Sequence, residues 1–376
     1  MRIAVYVQDL RASGVVRMAT AVARDLHRRG DDVTLLAGYG SGPFGAADVA
    51  PARLQVVAAR PGRNPRAAVV PALRRTLAGL APDVVLSPGN FGHFSLWAAT
   101  RGLGLPLVYC FSNPMIRPGQ RWRNRWRLMW GRLLIGGAAR VILVGRAQAA
   151  DPVFGPALAS GRALVIPNGI ELDRAARAGP VPALLTGEPP VVLSIGRLQP
   201  QKNFEALIDA VGVANRTRPL RLVILGTGTS DFAAALAARA AARGLGDRFV
   251  LAGTTDDVFA WLRGARVFAL ASRWEGSSIA LLEALAAGVP IVANRGAGDA
   301  ADVLGDGCYG LLVDSADSAA FAVALLRQAG DDPVRPGDRV LAYDADAMLG
   351  AYRNVLAAAV ADAPSPRHAG GRGDQP

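Results

Sequence analysis

Short runs of branched and apolar residues alternate with longer Ala-, Leu- and Arg-rich stretches of helical period along most of the 376-residue chain. In the first half these runs predict strands over 2–8, 32–37, 54–58, 83–87, 106–110, 140–144 and 163–166, with helices over 15–29, 66–80, 92–102 and 121–137. The rhythm then restarts. Strands are expected over 190–195, 220–225, 247–252, 266–270, 290–293 and 310–313, with helices over 203–216, 231–243, 255–263, 278–287 and 316–328. Strand, helix, strand at this spacing predicts parallel sheets covered on both faces, an α/β fold. Over 174–189 the pattern lapses around Pro180, Pro182 and Pro189, which predicts a linker between two units, 1–173 and 190–341. A last helix is expected within 342–362, and 363–376 reads as a disordered tail.

Composition narrows the classes. Hydrophobic residues make up 51% and charged residues 19%, enough apolar surface for two cores of ordinary size. Cys110 and Cys308, far apart in apolar contexts, are too few for a disulfide framework and read as reduced, buried thiols. No apolar run reaches the ~18 residues of a membrane span, and the first residues lack a signal-peptide pattern, so a cytoplasmic location is expected. The net charge of +12 favours phosphorylated, lipid or nucleic-acid partners, although the bias is strongly toward arginine, with Lys202 the one lysine.

In doubly wound sheets ligands bind at the carboxyl ends of the strands, so the loops after strands hold the candidate chemistry. One strand ends at Gly196, followed by Arg197, Lys202 and Asn203, the last a natural N-cap for FEALIDAVGVA. A lysine at a helix N-terminus is unfavourable by itself, and a bound phosphate would reverse that. The alternative is two solvated surface cations. A second constellation, SRWEGSSIALLEALAAGVPIVA, sets Glu275 in a turn and Glu283 in the helix after it. Every helical neighbour of Glu283 is apolar, so its carboxylate is either buried against a partner such as ribose hydroxyls or displayed on an Ala-rich surface. Gly276, Ser277 and Ser278 add a backbone nest able to hold a diphosphate.

Glu275, Glu283 and the following AAGVPIVA resemble the family-4 retaining glycosyltransferases, group 1, of GT-B fold. Gly196-Arg197 with Lys202-Asn203 is similar to that family's phosphate-binding turn. Pro167-Asn168-Gly169-Ile170, Leu225-Gly226-Thr227-Gly228 and Leu251-Ala252-Gly253 resemble its other strand ends in the same order. The resemblance is strong over 165–315 and looser over 1–160. It implies two Rossmann-like domains facing a central cleft, with the last helix crossing back to the first domain. It also implies that Arg197 and Lys202 meet the donor diphosphate, with Gly196 and Gly226 beside it. Glu283 would bind the ribose, and Glu275 with the 276–278 backbone the donor sugar. Gly14, in Ser13-Gly14-Val15, would approach the phosphates, although a serine replaces the first glycine of the family's pair. The reaction implied is front-face displacement with retention and no metal or other cofactor, the two cations stabilising the departing diphosphate. The family's usual histidine is missing after strand 106–110, where Phe111-Ser112-Asn113 stand. His93 is the one candidate imidazole for that place, equally readable as a buried helix residue, and His93 and Asn113 are the candidate acceptor or donor-sugar contacts. Asp344-Ala345-Asp346 has metal-motif spacing but the wrong place, after the last strand.

Residues 121–134, RWRNRWRLMWGRLL, set Trp122, Trp126 and Trp130 among arginines. Such a helix suits an anionic membrane surface or a polyprenyl-diphosphate acceptor, or else packs its tryptophans inward; nucleic acid ranks last. The expected activity is transfer from a nucleotide-sugar, UDP before GDP, to a lipid-linked or polysaccharide acceptor, with peripheral attachment to the inner membrane face. A nucleotide-sugar epimerase of similar fold is one rival, and a binding-only member another.

Overall fold

The computed structural model describes residues 1–11, 13–58, 60–61 and 63–363. The expected tail beyond Ala363 lies outside the described residues. Seven strands, β1 (Arg2–Val7), β2 (Asp32–Tyr39), β3 (Arg53–Ala58), β4 (Val84–Ser87), β5 (Leu107–Phe111), β6 (Arg140–Leu143) and β7 (Ala163–Val165), make one sheet. Its order is β3-β2-β1-β4-β5-β6-β7. Six more, β8 (Val191–Ile195), β9 (Arg221–Leu225), β10 (Phe249–Leu251), β11 (Val267–Leu270), β12 (Ile291–Asn294) and β13 (Leu311–Val313), make a second in the order β10-β9-β8-β11-β12-β13. All ladder pairings between these strands are parallel, for example Ile3 with Val33 and with Val84. β4 and β11 are buried along their whole length, which is why they read as continuous apolar runs rather than alternating ones. In each sheet the order in which successive strands are added reverses once, between β1 and β4 and between β8 and β11. The loops leaving those neighbours part and open a crevice.

Helices cover the sheets. Those that place the site are α1 (Gly14–Arg28), α2 (His93–Thr100), α3 (Arg121–Gly136), α4 (Phe204–Ala214), α5 (Ile279–Ala286) and α6 (Ala345–Ala361). One expected helix, 66–80, is broken into Pro65–Ala68 and Val70–Leu80. Pro71 lacks the N–H an uninterrupted helix would need there, so it sits in the first turn of the second piece.

The last helix crosses back. Met348, Leu349, Tyr352, Val355 and Leu356 of α6 join the first core with Val5, Ala19 and Cys110, and the Tyr352 hydroxyl lies 3.2 Å from Cys110 Sγ. The two chain crossings run together: Ile170 N–H donates to the Tyr343 carbonyl at 2.8 Å, and Ala345 N–H to the Ile170 carbonyl at 3.1 Å. A Cβ on Gly169 would fall 2.6 Å from Ala345 Cα, so only glycine lets them lie this close. The proline-rich segment is no loose tether. Ala175, Val181 and Leu185 pack on the second core, and Gly179 N–H donates to Asp257 at 2.7 Å. Cys110 is buried as expected, whereas Cys308 is exposed. Cys308 follows the short turn Gly305–Gly307, which holds it at the surface despite apolar neighbours in sequence.

Candidate functional site

The turn after β8 is laid against the turn after β9. A Cβ on Gly226 would fall 1.8 Å from the Gly196 carbonyl oxygen, and the Lys202 stem crosses Gly196 so closely that a Cβ there would lie 2.7 Å from Cε. Lys202 Nζ then donates to Glu275 Oε1 at 2.7 Å, both side chains being largely buried. Gln201 Nε2 donates to the Trp274 carbonyl at 2.9 Å and to Glu275 Oε2 at 3.3 Å, and Arg273 N–H returns a bond to the Gln201 carbonyl at 2.8 Å. Loops after two neighbouring strands, β8 and β11, are thereby laced together at the reversal of the sheet.

Two expectations change here. Lys202 is not left facing a helix N-terminus in want of an anion, because Glu275 already meets its charge. Asn203 does not cap α4 through its side chain: its backbone is left-handed, at φ 54°, which turns the amide away to Ser315 Oγ and Arg273 Nε, each at 3.2 Å. Arg197 is exposed at the mouth of the turn, with no polar partner among the described residues.

The loop leading into α5 is pressed against the first unit. A Cβ on Gly276 would come 2.1 Å from the Ser112 carbonyl oxygen, and Asn168 Nδ2 donates to the Ser277 carbonyl at 3.4 Å. Ser278 caps α5 through Leu281 N–H at 3.4 Å. One turn into that helix, Glu283 is only 4% exposed and has no hydrogen-bond partner among the described residues. It faces a cavity of about 700 Å³ lined also by Gly14, Arg17, Asn168, Arg174 and Ile279. Burial raises its pKa, and the positive charges of Arg17 and Arg174 pull it part of the way back. The structure thus brings Lys202 to Glu275, and Glu283 to the cavity beside Gly14. Neither Lys202, Arg197 nor Glu275 lines that cavity.

His93 does not reach a cleft. It is 1% exposed, wedged edge-on between Tyr109 and Phe111 with ring centroids 4.9 Å apart in both cases. Burial pushes its pKa down to about 4. The pattern could not separate the two readings, because an apolar helix start opposite β5 looks the same in either. Asn113 is half-buried beside Ser112, at the point where the first unit meets Gly276. Asp344 of the Asp-Ala-Asp run caps α6 by accepting from Ala347 N–H at 3.1 Å. Residues the sequence reading passed over include Arg17, Arg174 and Gln201, and Asn294, which donates to the Ser272 carbonyl at 2.8 Å. Asn294 carried a signal, a polar residue closing a wholly apolar strand. Arg117, from the first unit, lies 5.9 Å over the Trp274 ring.

In α3 the three tryptophans divide. Trp130 packs on Trp97, with ring centroids 5.1 Å apart, while Trp122 and Trp126 are 76% and 67% exposed. Four residues advance a helix by about 400°, so each step slips some 40° and a spacing of four cannot keep one face. Met129, Leu133 and Ile116 add apolar surface near the exposed pair. Among the described residues no helix is long and apolar enough to cross a membrane.

Comparison with known proteins agrees with this geometry. Residues 12–174 match the family described as Glycosyltransferase Family 4, and residues 189–331 match Glycosyl transferases group 1. A phosphatidyl-myo-inositol mannosyltransferase of Mycobacterium leprae is 35% identical over 195 residues, 50% of this chain and 49% of that protein. A D-inositol 3-phosphate glycosyltransferase of Streptomyces avermitilis is 30% identical over 269 residues, 64% of this chain and 56% of that protein. The chain spans about half the length of the curated relatives it matches. Among solved structures, Anabaena HepE in complex with UDP and glucose superposes with a TM-score of 0.79 at 18% identity, covering 95% of this chain and 99% of that one. Two parallel α/β sheets joined by a double crossing, a buried carboxylate pair eight residues apart, and family matches on both halves lead to one conclusion: the chain belongs to the family-4, group-1 glycosyltransferases and has the GT-B fold.

Proposed function

We propose that the chain transfers a sugar from a nucleotide-sugar, UDP-linked before GDP-linked, to a lipid-linked or polysaccharide acceptor with retention at the anomeric carbon. The observation that carries this reading is the Lys202–Glu275 pair, held where the loops after β8 and β11 meet. An arriving diphosphate gives Lys202 a second anion beside its carboxylate, and exposed Arg197 a first. Charge leaving with the diphosphate is then met by fixed cations with no metal needed. Glu275, released in part from the lysine, accepts hydroxyls of the donor sugar, while the Gly276–Ser278 backbone and Gly14 approach the phosphates. Glu283 accepts ribose hydroxyls in its cavity. Front-face attack needs no protein nucleophile, so the chain contributes positioning and charge stabilisation alone.

HepE, named with UDP and glucose, supports the order of donors, and the mycobacterial relative, named for a phosphatidylinositol, supports a lipid acceptor. Exposed Trp122 and Trp126 among arginines fit peripheral attachment to an anionic membrane face, at the cytoplasmic side. Calorimetry with UDP-, GDP- and ADP-sugars, followed by product analysis with and without a lipid acceptor, tests the reading. Transfer that requires acceptor is the expected result. A sugar altered in the absence of acceptor would establish the epimerase reading instead, and no binding of any nucleotide-sugar would leave neither standing.

A further inference from the structure

Behind the Glu275–Ser278 loop stands the turn after β12, and the two are in backbone contact. A Cβ on Gly298, which has a left-handed φ of 62°, would fall 2.5 Å from the Glu275 carbonyl oxygen and 2.9 Å from that of Gly276. The next residue, Asp299, is 3% exposed. Its side chain also meets the first unit: a Cβ on Gly145, just past β6, would lie 3.2 Å from Asp299 Cβ and 3.3 Å from Oδ2, and 2.9 Å from the Gly276 carbonyl oxygen. Asp299 therefore stands where the donor loop, its supporting turn and the opposite unit converge. Two buried oxygens there, Asp299 Oδ1 and the neighbouring Ser277 Oγ, have no hydrogen-bond partner among the described residues. Nothing in the transfer reaction uses this carboxyl directly.

We propose that Asp299 is a positioning residue for the donor loop, bracing Ser277 and the Glu275–Gly276 backbone against Gly145 of the first unit. The proposal rests on the reading of residues 275–278 as the donor cradle. Its protonation state decides whether the brace holds. Burial raises the carboxyl to about 7, with the Ser277 hydroxyl lowering it and the charges of Asp302 and Glu275 raising it further. The facing groups are few. Glu275 on the donor loop is neutralised by Lys202 at 2.7 Å, Asp302 on the following helix pairs with Arg146 across the units at 3.5 Å, and the Tyr343 phenol is the remaining titratable neighbour. Below pH 7 a neutral carboxyl donates its proton to a neighbouring oxygen at no cost in charge. Above it, burial and the charges of Asp302 and Glu275 work against the anion, and the Ser277 hydroxyl and the backbone N–H of Asp299 itself offset them only in part.

The experiment uses the full chain and two readouts. Fluorescence of Trp274, isolated as the difference between wild type and Trp274→Phe, reports the donor loop from pH 5.5 to 9 without any substrate. Transfer is followed as kcat and KM over the same range. The wild type is expected to show a fluorescence transition near pH 7 and a kcat that falls up to tenfold per pH unit above it, with KM for donor less affected. Asp299→Asn, neutral and of the same shape, should remove the transition and hold kcat flat, while Asp299→Ala should give a pH-independent kcat about tenfold below the wild-type value on the acid side. An alkaline limb or fluorescence transition surviving in Asp299→Asn, or a wild-type rate on the acid side in Asp299→Ala, would overturn the proposal. If no nucleotide-sugar reacts, the functional reading fails by itself, and the fluorescence titration still decides whether Asp299 governs the loop.

Discussion

Replacing Glu283 by glutamine should move stability and binding in opposite directions. The carboxyl is buried and lacks hydrogen-bond donors among the described residues; burial raises its pKa, and the charges of Arg17 and Arg174 offset that in part. Its raised folded pKa means that the folded state keeps a proton the unfolded chain has already released. Stability contributed by this group therefore falls as pH rises from the ordinary glutamate range to the raised value, and stays lower above it. Glutamine removes that penalty, so the variant should melt higher than wild type at pH 8 and about equally at pH 4. Bound nucleotide reverses the preference. Hydrogen bonds from ribose hydroxyls to a charged acceptor contribute roughly 1.5–3 kcal/mol, and an amide keeps only a neutral acceptor. Loss of that charge assistance, about 1–1.5 kcal/mol, predicts a Kd for UDP or GDP weakened by about 5- to 12-fold. Thermal unfolding at the two pH values and titration calorimetry with each nucleotide check both halves. A raised melting temperature with unchanged Kd would show that Glu283 does not touch the nucleoside, and a lowered one would show that the charge itself holds the fold.

Three further outcomes are expected. Lys202→Met leaves the Glu275 carboxylate buried without its cation and should cost about 3 kcal/mol of stability, whereas Lys202→Met with Glu275→Gln should recover most of it; denaturant midpoints for the cycle measure the coupling, and full additivity would mean the pair is not formed in solution. Gly276→Ala puts a methyl 2.1 Å from the Ser112 carbonyl oxygen, so turnover should fall ~100-fold as the units are wedged apart, with nucleotide affinity much less changed; this is read as a kcat loss at near-constant donor Kd, and an unaffected kcat refutes the contact. Trp122→Ser with Trp126→Ser should abolish sedimentation with anionic vesicles without lowering the melting temperature, since both rings are exposed, and retained vesicle binding would point to another surface.

The α/β rhythm was legible because parallel strands buried on both faces announce themselves as apolar runs, and helices between them keep a clear period. It overran at Pro71, where apolar spacing outweighed a missing N–H, and it passed over short helices such as Ala46–Val49 and Gly155–Ala159, which are too brief to show a period. The motif loops were legible as well, since glycines such as Gly226 and Gly276 stand where backbone meets backbone. Less could be read of who meets whom. Lys202 and Glu275 are 73 positions apart, and only the adjacency of β8 and β11 turns two separate signals into one ion pair. His93 shows the same limit in reverse: its burial depends on Tyr109 and Phe111 from another strand. Asp299 left no trace in local pattern, because a lone acid in a glycine-rich turn looks solvated until the opposite unit is placed over it.

The return of α6 to the first sheet has a consequence for how the chain is made. Met348, Tyr352 and Leu356 complete a core whose members outside the last helix lie between Ile3 and Ile166, so a ribosome releases the first sheet long before its last wall exists. Until then the apolar surface around Cys110 stands open, and the later-made half can finish its own core first. A stop codon before residue 345 should therefore harm the leading half most, yielding insoluble product although every one of its strands is present.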